Sequence, residues 1–196
     1  THRLSSAASD VYKRQGISSM AVVFVATTSS ITYISNGQTF TSYIIYLILG
    51  GIIGGYLGSK LTFSLDTKIL QRIFALLLVV VSYRMMFAEG FSARYEENIF
   101  LYLLIGIFSG ILSGLLGIGG GIVRIPLLIF FGGLGNLAAQ GFSLIATVPT
   151  ALTAAYTKLK NDREFAKRGC IVGISGILGS IIGGNLAFDL PQELLN

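Results

Sequence analysis

From Gln15 to Ser59 the chain carries no charged residue. A stretch of that length without charge is unlike a water-soluble domain, whereas about 20 apolar residues suffice to cross the ~30 Å hydrocarbon core of a bilayer. Two crossings fit into it, and the turn-prone run Ser35-Asn36-Gly37-Gln38 separates them. The same reading predicts spans at 17–35, 43–62, 69–88, 99–131, 136–157 and 169–188. Composition agrees: 53% of residues are hydrophobic and 12% charged, about half the charged fraction of an ordinary soluble domain. No segment alternates with period 2, which argues against a β-barrel. A cleaved signal peptide would account for at most one of six apolar runs. The fold class is therefore all-α integral membrane, a polytopic helical bundle.

The first residues stand apart from this pattern. Ser5 to Gln15 reads SSAASDVYKRQ, and every residue matches an in-frame translation of a transposase adapter used in preparing sequencing libraries. Residues 1–15 are expected to be a non-native tail and are excluded from fold reasoning. The single histidine, His2, goes with them. What remains holds 11 basic and 8 acidic residues, so the basic balance gives no reason to expect nucleic acid as a partner. Residue 16 is not a methionine, and the native N-terminus is expected to lie further upstream. The lone cysteine, Cys170, sits in an apolar run without a CxxC partner and reads as a packed thiol.

Charges near the span ends set an orientation. Arg84, Arg94, Lys158, Lys160, Arg163, Lys167 and Arg168 fall on one side, and Lys60, Lys68 and Arg72 on the other. Positive residues concentrate on the cytoplasmic side, which places the Lys158–Arg168 connection in the cytoplasm of a bacterial plasma (inner) membrane.

The chain also repeats itself. Gly50 to Leu65 (GGIIGGYLGSKLTFSL) parallels Ser175 to Leu190 (SGILGSIIGGNLAFDL) at an offset of 125, and Thr27 and Tyr33 correspond to Thr150 and Tyr156 at an offset of 123. Gly51, Gly54 and Gly58 fall on Gly176, Gly179 and Gly183, and are expected to share one helix face for close backbone packing. The mapping divides the chain into the end of a first repeat, 16–98, and a second repeat, 99–196. By that logic a complete protein has about eight spans in two tandem four-helix repeats, with one glycine-broken helix in each, and this chain holds six of them. Duplication of this kind is a common way to build transporters.

The segment Gly106 to Phe130 (GIFSGILSGLLGIGGGIVRIPLLIF) departs furthest from what lipid favours. Gly117, Gly119, Gly120 and Gly121 crowd together and Pro126 follows. Irregular backbone at membrane depth is tolerated only where protein buries it or a cavity is lined by it. A half-helix that restarts there offers free N–H groups and a positive dipole end to an anion. Arg124 lies just beyond, and no acidic residue in any span is available to pair with it. It either snorkels to the interface or contacts an anion directly, for which a guanidinium fork suits oxyanion oxygens. Polar residues of the following span could complete such a site, Ser143 and Thr147 first, then Thr150 and Tyr156. Thr27, Thr28, Ser30 and Tyr33 are their first-copy analogues.

Gly114 to Leu128 (GLLGIGGGIVRIPLL), followed by FSLIATVPTALTAAY, resembles the TauE/SafE family of sulfite exporter-like permeases, in which a GIGGG-x-x-x-x-P motif occurs twice. The resemblance covers 16–196, with one motif copy absent. It implies an eight-span secondary transporter moving sulfite or organosulfonate anions, usually outward. It carries Gly117, Gly119, Gly120, Gly121 and Pro126 over as motif positions. The implied partners are a small anionic substrate and the lipid bilayer, with room for a homo-oligomer. The spans contain no His, Asp or Glu, so no catalytic residue, cofactor or metal is expected. An anion channel without carrier activity, or a structural or assembly role, are the competing readings.

Overall fold

The computed structural model describes residues 2–38, 41–62, 98–159 and 163–189, with scattered positions between 68 and 83. Its helices run α1 (His2–Ser35), α2 (Ile44–Leu61), α3 (Ile99–Leu116), α4 (Gly121–Phe130), α5 (Asn136–Leu159) and α6 (Arg163–Asp189). Five stretches are long and apolar enough to cross a membrane: Lys13–Ser35, Ile44–Leu61, Ile99–Leu116, Asn136–Leu159 and Arg163–Phe188. The chain is thus an all-α, multi-pass membrane protein. The crossing expected at 69–88 lies almost wholly outside the described residues. α4 has ten residues, about 15 Å, and reaches only halfway through a bilayer core. With α3 it forms the broken span expected at 99–131.

Side chains are distributed as lipid requires. Ile171, Val172, Ile174, Leu178 and Ile182 on α6, and Leu152 and Tyr156 on α5, point outward. The interior holds small and polar residues instead, among them Ala139, Ala146, Ala154, Ser109, Ser143 and Thr150. Lipid tails are as apolar as leucine, so helix association gains little from hiding large side chains and depends on close backbone packing and hydrogen bonds.

That close packing is most evident between α2 and α3. A Cβ placed on Gly50, Gly54 or Gly58 would lie 2.1–2.3 Å from the carbonyl oxygens of Leu103, Ile107 and Ile111. The contact is reciprocal: a Cβ on Gly106, Gly110 or Gly114 would lie 2.4–2.6 Å from those of Leu47, Gly51 and Gly55. The sequence pattern put Gly51, Gly54 and Gly58 on one face, and the structure divides them. Gly51 joins Gly55 in facing Thr150 on α5, while Gly50 completes the stripe against α3. The 3.6-residue period allows both assignments, and only the position of the third helix decides between them.

At the opposite end of the same pair, Asn98 caps α3 by accepting from the N–H groups of Phe100 and Leu101. An apolar cluster of Leu47, Tyr102, Ile105, Leu128, Phe142 and Ala146 then fixes the C-terminal half of α4 against α2, α3 and α5. The glycine break between α3 and α4 is therefore held from both sides.

The remaining contacts follow the internal repeat. The mapping equates α1 with α5 and α2 with α6. α1 packs on α6 as α5 packs on α2, and α1 and α5 also pack on each other. One relation has no counterpart among the described residues: α2 is covered by α3, whereas nothing lies within 4 Å of a Cβ built on Gly179 or Gly183 of α6. Gly54→Ala should therefore destabilise the protein by about 1–3 kcal/mol through overpacking. In the 196-residue chain, where nothing stands within 4 Å of a Cβ at that position, Gly179→Ala at the equivalent site should be neutral or stabilise by up to about 1 kcal/mol, the helix-propensity gain. Thermal unfolding of the two variants in detergent measures the difference, and equal effects would contradict the asymmetry.

Candidate functional site at the broken helix

The break is built by backbone conformations that only glycine adopts readily. Gly117, Gly119 and Gly120 have φ of +73°, +79° and +77°. Gly117 ends α3 in a left-handed cap, its N–H donating to Ser113 O, and Gly120 is the N-cap of α4. Helix direction restarts at Gly121, so the N–H groups of Gly121 and Ile122 make no hydrogen bond among the described residues. They give the site a positive dipole end.

One turn into α4 stands Arg124, with an exposure of 0%. Snorkelling is ruled out. Its Nε donates to Ser109 Oγ at 3.0 Å; Nη1 donates to Ser143 O and Thr147 Oγ1, both at 3.1 Å; Nη2 donates to Thr150 Oγ1 at 3.4 Å. Four of the five guanidinium hydrogens thus reach protein oxygens, supplied by α3 and α5. Every one of those oxygens is neutral. Among the described residues the ion pair is Arg168 with Glu164, on the exposed start of α6. Burying arginine in a span costs about 2.5–3.5 kcal/mol, and hydrogen bonds to a charged group return about 1.5–3 kcal/mol each. The side chain is held without a counter-charge, and its positive field remains.

Spacing on the flanking helices explains how those oxygens converge. Ser143, Thr147 and Thr150 follow at i, i+4 and i+7 on α5, and Ser109 and Ser113 at i, i+4 on α3, each set on one helix face. Thr147 also donates to Gly119 O at 3.0 Å, tying α5 to the break itself. Gly51 of α2 completes the enclosure: its Cβ would fall 2.4 Å from Thr150 Oγ1 and 3.4 Å from Arg124 Nη2.

The structure gathers Gly119, Gly120, Gly121, Arg124, Ser143 and Thr147 in one place. Gly117 and Pro126 lie apart from the guanidinium. Gly117 faces Gln15 of α1, and Pro126, two residues beyond Arg124, is turned to the other side of α4. The hydroxyls suggested in the first copy do not reach the site. Thr27, Thr28 and Ser30 each donate to the carbonyl four residues back, and Tyr33 donates to Gln140 Oε1. Tyr156 is 70% exposed on the lipid-facing side.

Three positions at the break are not singled out by the sequence. Ser109 and Ser113 were overshadowed by the glycines beside them, although Ser-Gly-x-x-Ser-Gly on one helix face is itself a signal. Lys158, a loop cation by its place in the sequence, is buried, and its Nζ donates to Gly114 O at 2.6 Å, where α3 runs out of helical donors. Thr62 Oγ1, which donates to Gly58 O at 2.9 Å, lies 3.3 Å from the same carbonyl. The end of the first half-helix is thereby capped by Lys158 of α5.

This is a polytopic helical bundle with an arginine held at a glycine-broken span, the architecture of a membrane transporter. The Sulfite exporter TauE/SafE family model matches residues 7–85 and 101–196, and the chain belongs to that family. Two proteins of Xylella fastidiosa, each described as a probable membrane transporter protein, are similar along most of the chain. The one from strain Temecula1 is 27% identical over 185 residues, which is 91% of this chain and 69% of the relative. The one from strain 9a5c is 26% identical over 193 residues, 92% of this chain and 72% of the relative. The probable membrane transporter protein YdhB of Bacillus subtilis is 32% identical over 96 residues, 49% of this chain and 39% of its own. No solved structure matches the chain.

Thr147→Val keeps the shape of the side chain but removes an acceptor from the guanidinium and a donor from Gly119. It should cost about 2–4 kcal/mol, combining a lost bond to a charged group with an orphaned carbonyl. Thr153→Val, on the same helix, removes only a bond to the carbonyl of Pro149 and should cost under about 1 kcal/mol. Unfolding midpoints in detergent distinguish the two.

Proposed function

We propose that this chain is part of a secondary transporter that exports sulfite or an organosulfonate across a bacterial inner membrane. The observation that carries the reading is the Arg124 guanidinium, buried at the restart of a broken span and supported by neutral oxygens alone. An anion arriving there finds an uncompensated positive charge and the N-terminal end of α4 in low dielectric, where both act more strongly than in water. Arg124, Gly120 and Gly121 are the groups we assign to the anion, with Ser143 and Thr147 shaping the pocket around the guanidinium. The sulfur-oxyanion class comes from the family to which the chain belongs.

The division into a first repeat at 16–98 and a second at 99–196 is part of this reading. The matched pairings of α1 with α6 and of α5 with α2 support it. The Lys158–Arg168 connection is assigned to the cytoplasm, supported by exposed Arg163, Lys167 and Arg168 at the start of α6. Residues 1–15 are assigned to the adapter.

The test is sulfite flux in proteoliposomes with wild type, Arg124→Gln and Arg124→Lys. Wild type should show saturable uptake with counterflow from preloaded sulfite. Arg124→Gln should lose at least about 100-fold in transport efficiency, and Arg124→Lys at least about 10-fold because an ammonium cannot span the same oxygens. Non-saturating flux without counterflow would identify a channel. Absence of flux for any sulfur oxyanion by the wild type would overturn the substrate class, and full activity in Arg124→Gln would overturn the site.

A further inference from the structure

We infer that the Ser113 hydroxyl and the remaining Nη2–H of Arg124 together grip one oxygen of the transported oxyanion beside Gly120, so that Ser113 sets the affinity for the anion. The inference rests on the anion reading of the site given above and deepens it.

Hydrogen-bond direction is what singles out Ser113. Ser109, Thr147 and Thr150 all accept from the guanidinium, and each has already given its own hydrogen to a backbone carbonyl: Ser109 to Gly106 O, Thr147 to Gly119 O and Thr150 to Ala146 O. Those three hydroxyls have only lone pairs to show an incoming ligand, and lone pairs repel an anion. Ser113 is different. It is 1% exposed, and its Oγ has no hydrogen-bond partner among the described residues. A buried hydroxyl without a partner is costly and calls for an explanation.

Its position supplies one. The point where a Cβ on Gly120 would stand is 2.9 Å from Ser109 O, 3.0 Å from Ser113 Cβ and 3.5 Å from Arg124 Nη2. Nη2 carries two hydrogens and has one acceptor, Thr150 Oγ1 at 3.4 Å. Ser113, whose O–H is unspent, and the unspent N–H of Nη2 therefore stand beside the same glycine, at the end of α4 whose first N–H groups make no hydrogen bond among the described residues. Glycine at 120 keeps any side chain out of that corner. The groups left unspent there are donors, standing beside the carbonyl of Ser109, and a ligand presenting an anionic oxygen satisfies them. A second buried hydroxyl without a partner, Ser59 Oγ, lies on α2 against Gly114 and away from the guanidinium, which makes it the natural control.

The experiment compares Ser113→Ala, Ser113→Cys and Ser59→Ala with wild type in proteoliposomes and in detergent. Ser113→Ala should raise the KM for sulfite roughly tenfold with maximal rate within about twofold, the loss expected for one hydrogen bond to a charged ligand. Without ligand its melting temperature should rise, since an unpaired buried donor is gone, while the additional stabilisation by sulfite should shrink. Ser113→Cys preserves side-chain size with a weak donor and should show the same rise in KM, which keeps the test open should the alanine variant fold poorly. Ser59→Ala should also melt higher but keep the wild-type KM and the wild-type response to sulfite. A wild-type KM in both Ser113 variants, with transport still lost in Arg124→Gln, would overturn the role of Ser113 and leave the anion reading standing. An equal rise in KM in Ser59→Ala would overturn it as a packing effect. Transport retained in Arg124→Gln would instead bring down the anion reading, and this inference with it.

Discussion

A buried cation without a counter-ion governs the rest of this fold. The Arg124 guanidinium does not reach the surface of the bundle, because α4 starts at the glycine break and places it one turn inside. It must therefore be hydrogen-bonded where it stands. One helix cannot do this alone, since a single helix face offers oxygens along a line while the guanidinium fork is planar. α3 approaches with Ser109 from one side, and α5 with Ser143, Thr147 and Thr150 from the other. The α3–α4 span has to be interrupted so that its own first half can serve as one of those walls.

Bringing three helices that close depends on the glycines of α2 and α3. Their backbones touch along Gly50, Gly54 and Gly58 against Gly106, Gly110 and Gly114, with no room for a methyl group. Helices in contact through Cα atoms gain dispersion and Cα–H···O contacts, which substitutes for the missing hydrophobic drive. The same approach leaves Gly51 facing Thr150 and Nη2. The stripe thus has two effects. It holds the bundle together, and it sets the width of the enclosure around the guanidinium.

The spans among the described residues, the break and the exceptional arginine were legible because each is a one-dimensional signal: a long uncharged run, a crowd of glycines, a lone charge in apolar surroundings. What could not be read was the allocation of hydrogen bonds. Thr147 and Ser113 are equally small hydroxyl residues in the sequence, yet one has spent its hydrogen on Gly119 O and the other has not. That distinction depends on where a different helix ends. Lys158 was misplaced for a related reason, since its depth is set by Gly114, a residue 44 positions away. The split of Gly51 from Gly54 and Gly58 likewise needed the position of α5. The outward-facing Tyr156 was a plausible site residue by type, and only the direction of its helix face removed it.

The neutrality of the oxygens around Arg124 bears on how a carrier could work. A carrier must be stable with its site both loaded and empty, because the empty form has to return. An aspartate or glutamate beside Arg124 would stabilise the empty site, but it would compete with every arriving anion at its own Coulomb strength. Neutral hydroxyls and a carbonyl avoid that competition. They satisfy the N–H groups well enough to keep the arginine in place, and they leave its charge available. On the function proposed above, binding adds an anion to a preorganised cation rather than displacing a resident one, so less of the binding energy is consumed in rearrangement. The same logic accounts for keeping the hydroxyl hydrogens of Ser109, Thr147 and Thr150 turned toward backbone carbonyls. A hydroxyl whose hydrogen is already committed cannot rotate to oppose the guanidinium, so the geometry of the empty site is also the geometry that receives the ligand.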